Sequence, residues 1–203
     1  MQRELKREAL LRAAVSAFSR QGFHQTSLDE IARKLGVTKA ALYYYFPNKN
    51  ALLAACFDRA MSVANESLAQ ARNEGGNSRE KLQLFLRHYL EAVTDEFGVS
   101  VLLTEEHSLD EQDRKKLFEE RDKLEGHIRN LVREGIKDGS IVECDPKLAV
   151  FLLLGAVNWI PKWFSQKGSW TSHQLARAAT DMLDRMLSTN PCAELVIDVG
   201  KAP

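Results

Sequence analysis

Apolar positions recur at helical spacing along nearly the whole chain. Leu10, Ala14, Ala17 and Phe18, broadened by Leu11 and Val15, form the stripe of a first helix from about Arg3 to Arg20. Gly22 follows where a left-handed closing residue is wanted. Ser27-Leu28-Asp29-Glu30 is a capping box, Ser27 capping a short second helix and Glu30 reaching back. That helix shows Leu28, Ile31, Ala32 and Leu35 on one face and stops at Gly36. Thr38 is the N-cap of a third helix, 39 to 46, which must end before Pro47 because the residue preceding a proline is driven out of the α region. Asn48 caps a long fourth helix carrying Leu52, Cys56, Phe57, Ala60, Met61 and Ala64. Two short capped helices joined by a tight turn at Gly36, backed by a longer first helix, make a helix-turn-helix.

The remainder is also helical. Leu82, Phe85, Leu86, Tyr89, Leu90 and Val93 mark a fifth helix closing near Gly98, and the apolar piece Val99 to Leu103 is a candidate sixth. Ser108-Leu109-Asp110-Glu111 reads as another capping box, opening a long charged helix with Leu117, Leu124, Ile128 and Leu131 inward and Gly139 at its end. Asp145-Pro146 opens an eighth helix, since proline suits the first helical position, and Pro161 should kink or end it. Thr171 or Ser172 caps a ninth, on which Leu175, Ala179, Met182, Leu183 and Met186 share a face. No segment alternates as a strand. The expected fold is all α with about nine helices: a DNA-binding head over 1–47, a helical body over 48–189, and a loose tail over 190–203.

Composition narrows the class. The chain has 203 residues, 44% hydrophobic and 28% charged, as in an ordinary globular protein. The charged stretch Met1 to Arg12 lacks the apolar core of a secretion signal, and Leu148 to Ile160 is too short to span a bilayer. Cys56, Cys144 and Cys192 are far apart and form neither a disulfide framework nor a zinc site, which fits a reducing cytoplasm. Net charge is zero but unevenly placed. Residues 1–50 hold nine Lys or Arg against four Asp or Glu, a net of +5, and the remainder holds 19 against 24, a net of −5. A basic head on an acidic body puts a phosphate-seeking field at one end.

The run Gly22-Phe23, Thr26-Ser27-Leu28-Asp29-Glu30-Ile31-Ala32, Leu35-Gly36-Val37, Leu42-Tyr43-Tyr44-Tyr45-Phe46 and Lys49 resembles the N-terminal domain of the TetR family of repressors over about residues 8 to 57. The resemblance implies a helical C-terminal domain that binds a small molecule and dimerises. Read physically, Leu42 and Phe46 face the core of the head, leaving Lys39, Ala40, Tyr43 and Tyr44 toward the major groove. Lys39 is the expected reader of guanine O6 and N7, and Ala40 keeps the backbone close to the bases. Tyr43 meets a base or a phosphate; Tyr44, Tyr45, Thr26, Ser27 and Lys49 are expected at phosphate height, with Thr38 beside them. Arg3, Lys6 and Arg7 either meet DNA or merely solvate the helix end.

For the body, Met61, Phe85, Tyr89, Val93, Phe97, Leu102, Leu124 and Ile128 are candidate lining residues of an effector pocket, with plain core packing as the competing reading. The last two helices are the expected dimer interface, through Val150, Leu153, Leu154, Val157, Leu175, Ala179, Met182, Leu183 and Met186. The stretch from Gly155 to Ser169 is similar to family members governing lipid, steroid or acyl-CoA catabolism, which implies a small hydrophobic effector such as an acyl-CoA or fatty-acid-like molecule. The expected function is a ligand-responsive repressor binding a palindromic operator as a homodimer in the bacterial cytoplasm, associated with the nucleoid, without cofactor or metal. A protein partner in place of the small molecule is the alternative. Catalysis is not expected, because the chain carries no GxSxG, GxGxxG or phosphate-binding loop and its histidines lack metal-ligand spacing.

Overall fold

The computed structural model of the protein describes residues 2–95 and 106–189. The expected sixth helix at 99–103 and the tail at 190–203 lie outside them. The described residues form eight α-helices: α1 Gln2–Gln21, α2 Leu28–Lys34, α3 Lys39–Tyr45, α4 Lys49–Glu74, α5 Ser78–Val93, α6 Glu111–Asp138, α7 Pro146–Trp159 and α8 Ser172–Leu187. Short 3-10 turns lie at Glu106–Ser108 and Ile160–Lys162. No strand occurs among the described residues, only an isolated antiparallel bridge between Ile141 and Ser188. None of these helices is long and apolar enough to cross a membrane.

The chain folds as two compact units that divide inside α4 and α6. The first comprises the described residues 2–62 and 106–120, and the second 63–95 and 121–189. A boundary at residue 47 places the start of α4 outside the head, whereas the structure keeps it inside. Leu52, Leu53, Cys56 and Phe57 are all buried there, and the Cys56 thiol donates to the Leu11 carbonyl at 3.9 Å.

In the first unit local chemistry sets the helix ends. Gly22, at φ +80°, closes α1 and its N–H donates to the Phe18 carbonyl at 2.9 Å; Gly36, at φ +64°, turns the chain between α2 and α3. Ser27 caps α2 by accepting the Glu30 N–H at 3.1 Å, and Thr38 caps α3 by accepting that of Ala41 at 3.1 Å. The expected capping box at Ser27 is half formed. The Glu30 carboxylate accepts instead from Gln21 Nε2 at 2.8 Å and so ties α2 to α1. Phe46 is extended at φ −138°, as Pro47 requires. The box expected from Ser108 also moves. Asp110 caps α6, accepting the Asp113 N–H at 2.9 Å, because Ser108 is held in the preceding 3-10 turn.

In the second unit α5 and α8 lie antiparallel. Arg79 donates to Asp184 at one end (2.7 Å from Nε), and His173 meets Glu91 at the other (2.7 Å). Between those ends the core contains Leu82, Phe85, Leu86, Leu90, Leu175, Ala176 and Leu183. Asn77 with Glu80 and Thr171 with Gln174 form complete capping boxes on α5 and α8. Asp145 caps α7, accepting the Leu148 N–H at 2.7 Å, with Pro146 at the first helical position. At the other end α7 gives way to the 3-10 turn containing Pro161, as the proline demands.

Candidate nucleic-acid interface

On α3, burial separates two faces. Leu42 and Phe46 are inside, while Lys39, Ala40, Ala41, Tyr43 and Tyr44 are exposed. Four of the expected reading residues therefore share one open surface. Tyr44 is 69% exposed, a large aromatic that the fold of the head does not need inside. Its ring carries the Arg3 guanidinium 5.5 Å from the centroid and meets the half-buried Tyr45 edge-on at 5.3 Å. The basic start of α1 thus adjoins α3. A groove of about 550 Å³ runs there, lined by Lys6, Leu10, Val37, Ala41, Tyr44 and Tyr45.

Lys39 projects from the first turn of α3 and is engaged from the neighbouring helix. Its Nζ donates to Asp29 Oδ2 of α2 at 2.9 Å and lies 5.7 Å from the Tyr43 centroid. The hydrogen bond from the ammonium to the Asp29 carboxylate raises the Lys39 pKa, so the side chain is a cation at every physiological pH.

The remaining expected phosphate contacts separate into two groups. The hydroxyls of Ser27 and Thr38 accept cap N–H groups on exposed residues, which leaves each O–H able to donate outward. Thr26 and Lys49 are placed differently. Thr26 is buried, and its hydroxyl donates to the Gly22 carbonyl at 2.9 Å, bracing the turn between α1 and α2. The Lys49 ammonium reaches back to the same turn and donates to the carbonyls of Phe23 (2.8 Å), Thr26 (3.0 Å) and His24 (3.3 Å). It also lies 4.3 Å from the Phe23 ring centroid. An ammonium has three hydrogens, and all three acceptors are internal. The structure therefore gives Lys49 the work of a clamp within the head, where its sequence position had pointed to a phosphate.

In the body, Phe85, Val93, Leu124 and Ile128 are buried in the second unit and Met61 is buried in the first; Phe97 and Leu102 lie outside the described residues. Tyr89 supplies the polar element. Its ring stacks on Phe85 at 5.6 Å and its hydroxyl donates to Asn158 Oδ1 on α7 at 3.2 Å. Desolvation pushes the phenol up to about 12 against the opposing pull of Arg121, so Tyr89 is a neutral hydrogen-bonding group. Asn158 was not among the expected residues, since its partner lies 69 positions away in the chain. A second apolar cavity of about 400 Å³ opens where α7 hands over to α8, lined by Ile160, Trp163, Phe164, Trp170, Leu175 and Met182.

Most residues of the expected dimer interface face the protomer's own core. Val150, Leu153, Val157, Leu175 and Leu183 are buried inside the protomer, and Leu154 and Ala179 are half-buried. Of the nine, only Met182 and Met186 are exposed. The open apolar surface of α7 is its other side, Leu148, Phe151, Leu152 and Trp159. A helix apolar on all sides does not reveal in its sequence which side serves its own core.

Comparison with known proteins agrees with this geometry. The family model for bacterial regulatory proteins of the tetR family matches residues 10–56, and that for the tetracyclin repressor-like C-terminal domain matches 75–187. The regulator RutR of Escherichia coli K12 is 30% identical over 156 residues, covering 73% of this chain and 70% of its own. The fatty acid metabolism regulator protein of Bacillus subtilis is 23% identical over 187 residues, covering 90% and 95%. AibR, solved in complex with isovaleryl coenzyme A and operator DNA, superposes with a TM-score of 0.74 at 29% identity, over 87% of this chain and 96% of its own. These relatives are regulators and not enzymes. The chain belongs to the TetR family of DNA-binding transcriptional regulators, with a helix-turn-helix head.

Proposed function

We propose that the protein is a repressor that binds a palindromic operator as a homodimer in the bacterial cytoplasm and is released by a small hydrophobic acyl effector, as a fatty acyl group or its coenzyme A thioester. The observation that carries the DNA half is the single open face of α3, where Lys39, Ala40, Tyr43 and Tyr44 stand together beside the basic start of α1. Lys39 and Ala40 take base edges. Tyr43, Tyr44 and the Ser27 and Thr38 hydroxyls position the head on phosphates. Homodimerisation is supported by the exposed apolar sides of α7 and α8, which a monomer has no reason to keep in water. The effector class is supported by the AibR complex and by the fatty acid regulator. Within the second unit, Tyr89 and Asn158 offer an acyl group a polar anchor on apolar walls. The continuous α4, 26 residues long, is the element through which an effector biases the head.

The test begins with selection of a binding site from random duplex DNA by the full-length protein. Titration of the selected duplex follows, with and without acyl-CoA esters of graded chain length. The expected site is a near-palindrome bound with steep salt dependence, weakened by one class of ester by roughly 5–150-fold, the usual span of allosteric coupling. Operator DNA must then weaken ester binding by the same factor. Absence of any selected sequence would overturn the DNA half, and equal operator affinity across the whole ester series would overturn the effector half.

A further inference from the structure

Asp29 stands in the first turn of α2 but neither caps that helix nor ties it to α1. Ser27 caps α2 and Glu30 ties it to α1. The Asp29 carboxylate, 57% exposed, reaches across to the first turn of α3 and accepts from Lys39 Nζ at 2.9 Å. Exposed ion pairs of this kind add little to fold stability. This one lies on the surface that meets DNA, and there a carboxylate is costly. It faces a polyanion, and it is tolerable only if it finds a donor. Phosphates on the backbone, and guanine O6 and N7, adenine N7 and thymine O4 in the major groove, are acceptors, whereas the exocyclic amines of cytosine and adenine are donors. Lysine is the complement, three donors and no acceptor.

We propose that Asp29 is a specificity-determining residue, forming with Lys39 a charge-compensated pair that reads the orientation of one base pair per half-site, keto base against amino base, and withholds Lys39 from phosphates. The ammonium takes the keto oxygen of guanine or thymine and the carboxylate takes the amine of the paired cytosine or adenine, so both halves of the pair are satisfied together only when the keto base stands on the ammonium's side. With the base pair reversed, the ammonium faces the amine and the carboxylate the keto oxygen, and both lose their partners. Against the phosphate backbone the two charges cancel, and random sequence gains nothing from Lys39. The proposal rests on the reading of the head as a sequence-specific DNA binder.

The test uses full-length wild type, Asp29→Asn, Asp29→Glu and Lys39→Gln. Each is carried through selection from random duplex DNA. Each is then titrated by fluorescence anisotropy on the wild-type-selected duplex, its single-base-pair variants and a scrambled duplex over a salt series. With the carboxylate neutralised, Lys39 is free for a phosphate, so Asp29→Asn should bind scrambled DNA several-fold more tightly. Its log–log salt slope should steepen by about 0.9 per protomer. Discrimination at one base-pair position, roughly 5–150-fold for a good base contact, should fall by about tenfold while other positions keep theirs. Asp29→Glu should restore it, and Lys39→Gln should lose preference at the same position. An Asp29→Asn protein with unchanged motif and salt slope overturns the proposal. So does an even loss at every position, which marks a structural role. If wild type itself selects no motif, the reading of the head fails and the proposal with it. A wild-type motif that Asp29→Asn reproduces defeats the proposal alone.

Discussion

Lys49→Met separates a clamp from a phosphate contact. The methionine keeps the length and much of the packing of the lysine stem but removes the ammonium. Three carbonyl partners then lose a charged donor, those of Phe23, Thr26 and His24. A hydrogen bond to a charged group contributes about 1.5–3 kcal/mol. Three of them do not add to three times that here, because one ammonium makes them all and the site is half-buried, so water can replace part of the loss. The Phe23 carbonyl also retains the Thr26 N–H at 3.2 Å. A net of about 2 kcal/mol for the hydrogen bonds and about 0.5–1 kcal/mol for the cation over the Phe23 ring gives roughly 3 kcal/mol. For a protein of this size that lowers the melting temperature by about 6–12 °C. The three tryptophans lie in the second unit, so the head is better followed by circular dichroism at 222 nm and by amide exchange over residues 22–28. Both should show a loosened head. If Lys49→Met melts within about 1 °C of wild type with unchanged exchange, while its operator salt slope becomes shallower by about 0.9 per protomer, Lys49 is a phosphate contact and the clamp is refuted.

Three further outcomes follow from the described packing. Phe151→Glu with Met182→Glu should give a folded monomer by sedimentation velocity, whereas Val157→Glu, placing a charge in the protomer core, should lose cooperative unfolding; a folded dimer in both cases would put the interface elsewhere. Gly135→Ala should destabilise despite alanine's helix propensity of about 1 kcal/mol, because its Cβ would lie 2.5 Å from Ile141 Cδ1 and 3.1 Å from Ile141 Cβ. Chemical denaturation should therefore show a loss of up to about 2 kcal/mol, and a gain would mean that Ile141 yields freely. The Asp138 carboxylate is held below its ordinary pKa by hydrogen bonds from Ser140 and Ser78, so its contribution is present above the unfolded value of 3.8 and disappears as pH falls through the lower folded value. Asp138→Asn should flatten that acid limb of stability against pH, and an unchanged limb would assign it to other groups.

Features decided within a few residues were legible in the sequence. Gly22, Gly36, Thr38, Asp145 and Pro146 each impose a backbone state or a cap on their immediate neighbours, and each does so in the structure. Where two caps competed locally, the sequence was ambiguous. Ser108 and Asp110 both precede a helix, and Asp110 takes it because Ser108 is held in the 3-10 turn before it. Lys49 was misplaced for a different reason. Its acceptors lie 23 to 26 positions earlier, a distance no local pattern reports. The Lys39–Asp29 pair, ten positions apart across a turn, is hidden in the same way.

The proposed interface shows how hydrophobicity itself misleads. On α8 the apolar stripe read from the sequence ran through Leu175, Ala179, Met182, Leu183 and Met186. The buried face runs through Leu175, Ala176, Thr180, Leu183 and Leu187. The two differ by a rotation toward the methionines. Thr180 is fully buried although its hydroxyl finds no partner among the described residues, while Met182 and Met186 are left more than half exposed. For a monomer that arrangement is inverted, since a methionine gains more from burial than a threonine. It becomes reasonable once the methionine side has a surface of its own to cover. On α7 the arrangement is parallel, with Leu148, Phe151, Leu152 and Trp159 outward behind a buried Val150, Leu153 and Val157. A polar residue turned inward opposite methionines turned outward supports the proposed dimer face more directly than total hydrophobicity does. That is why the double variant at Phe151 and Met182, rather than any change at Val157, is the one that tests the proposed dimer contact.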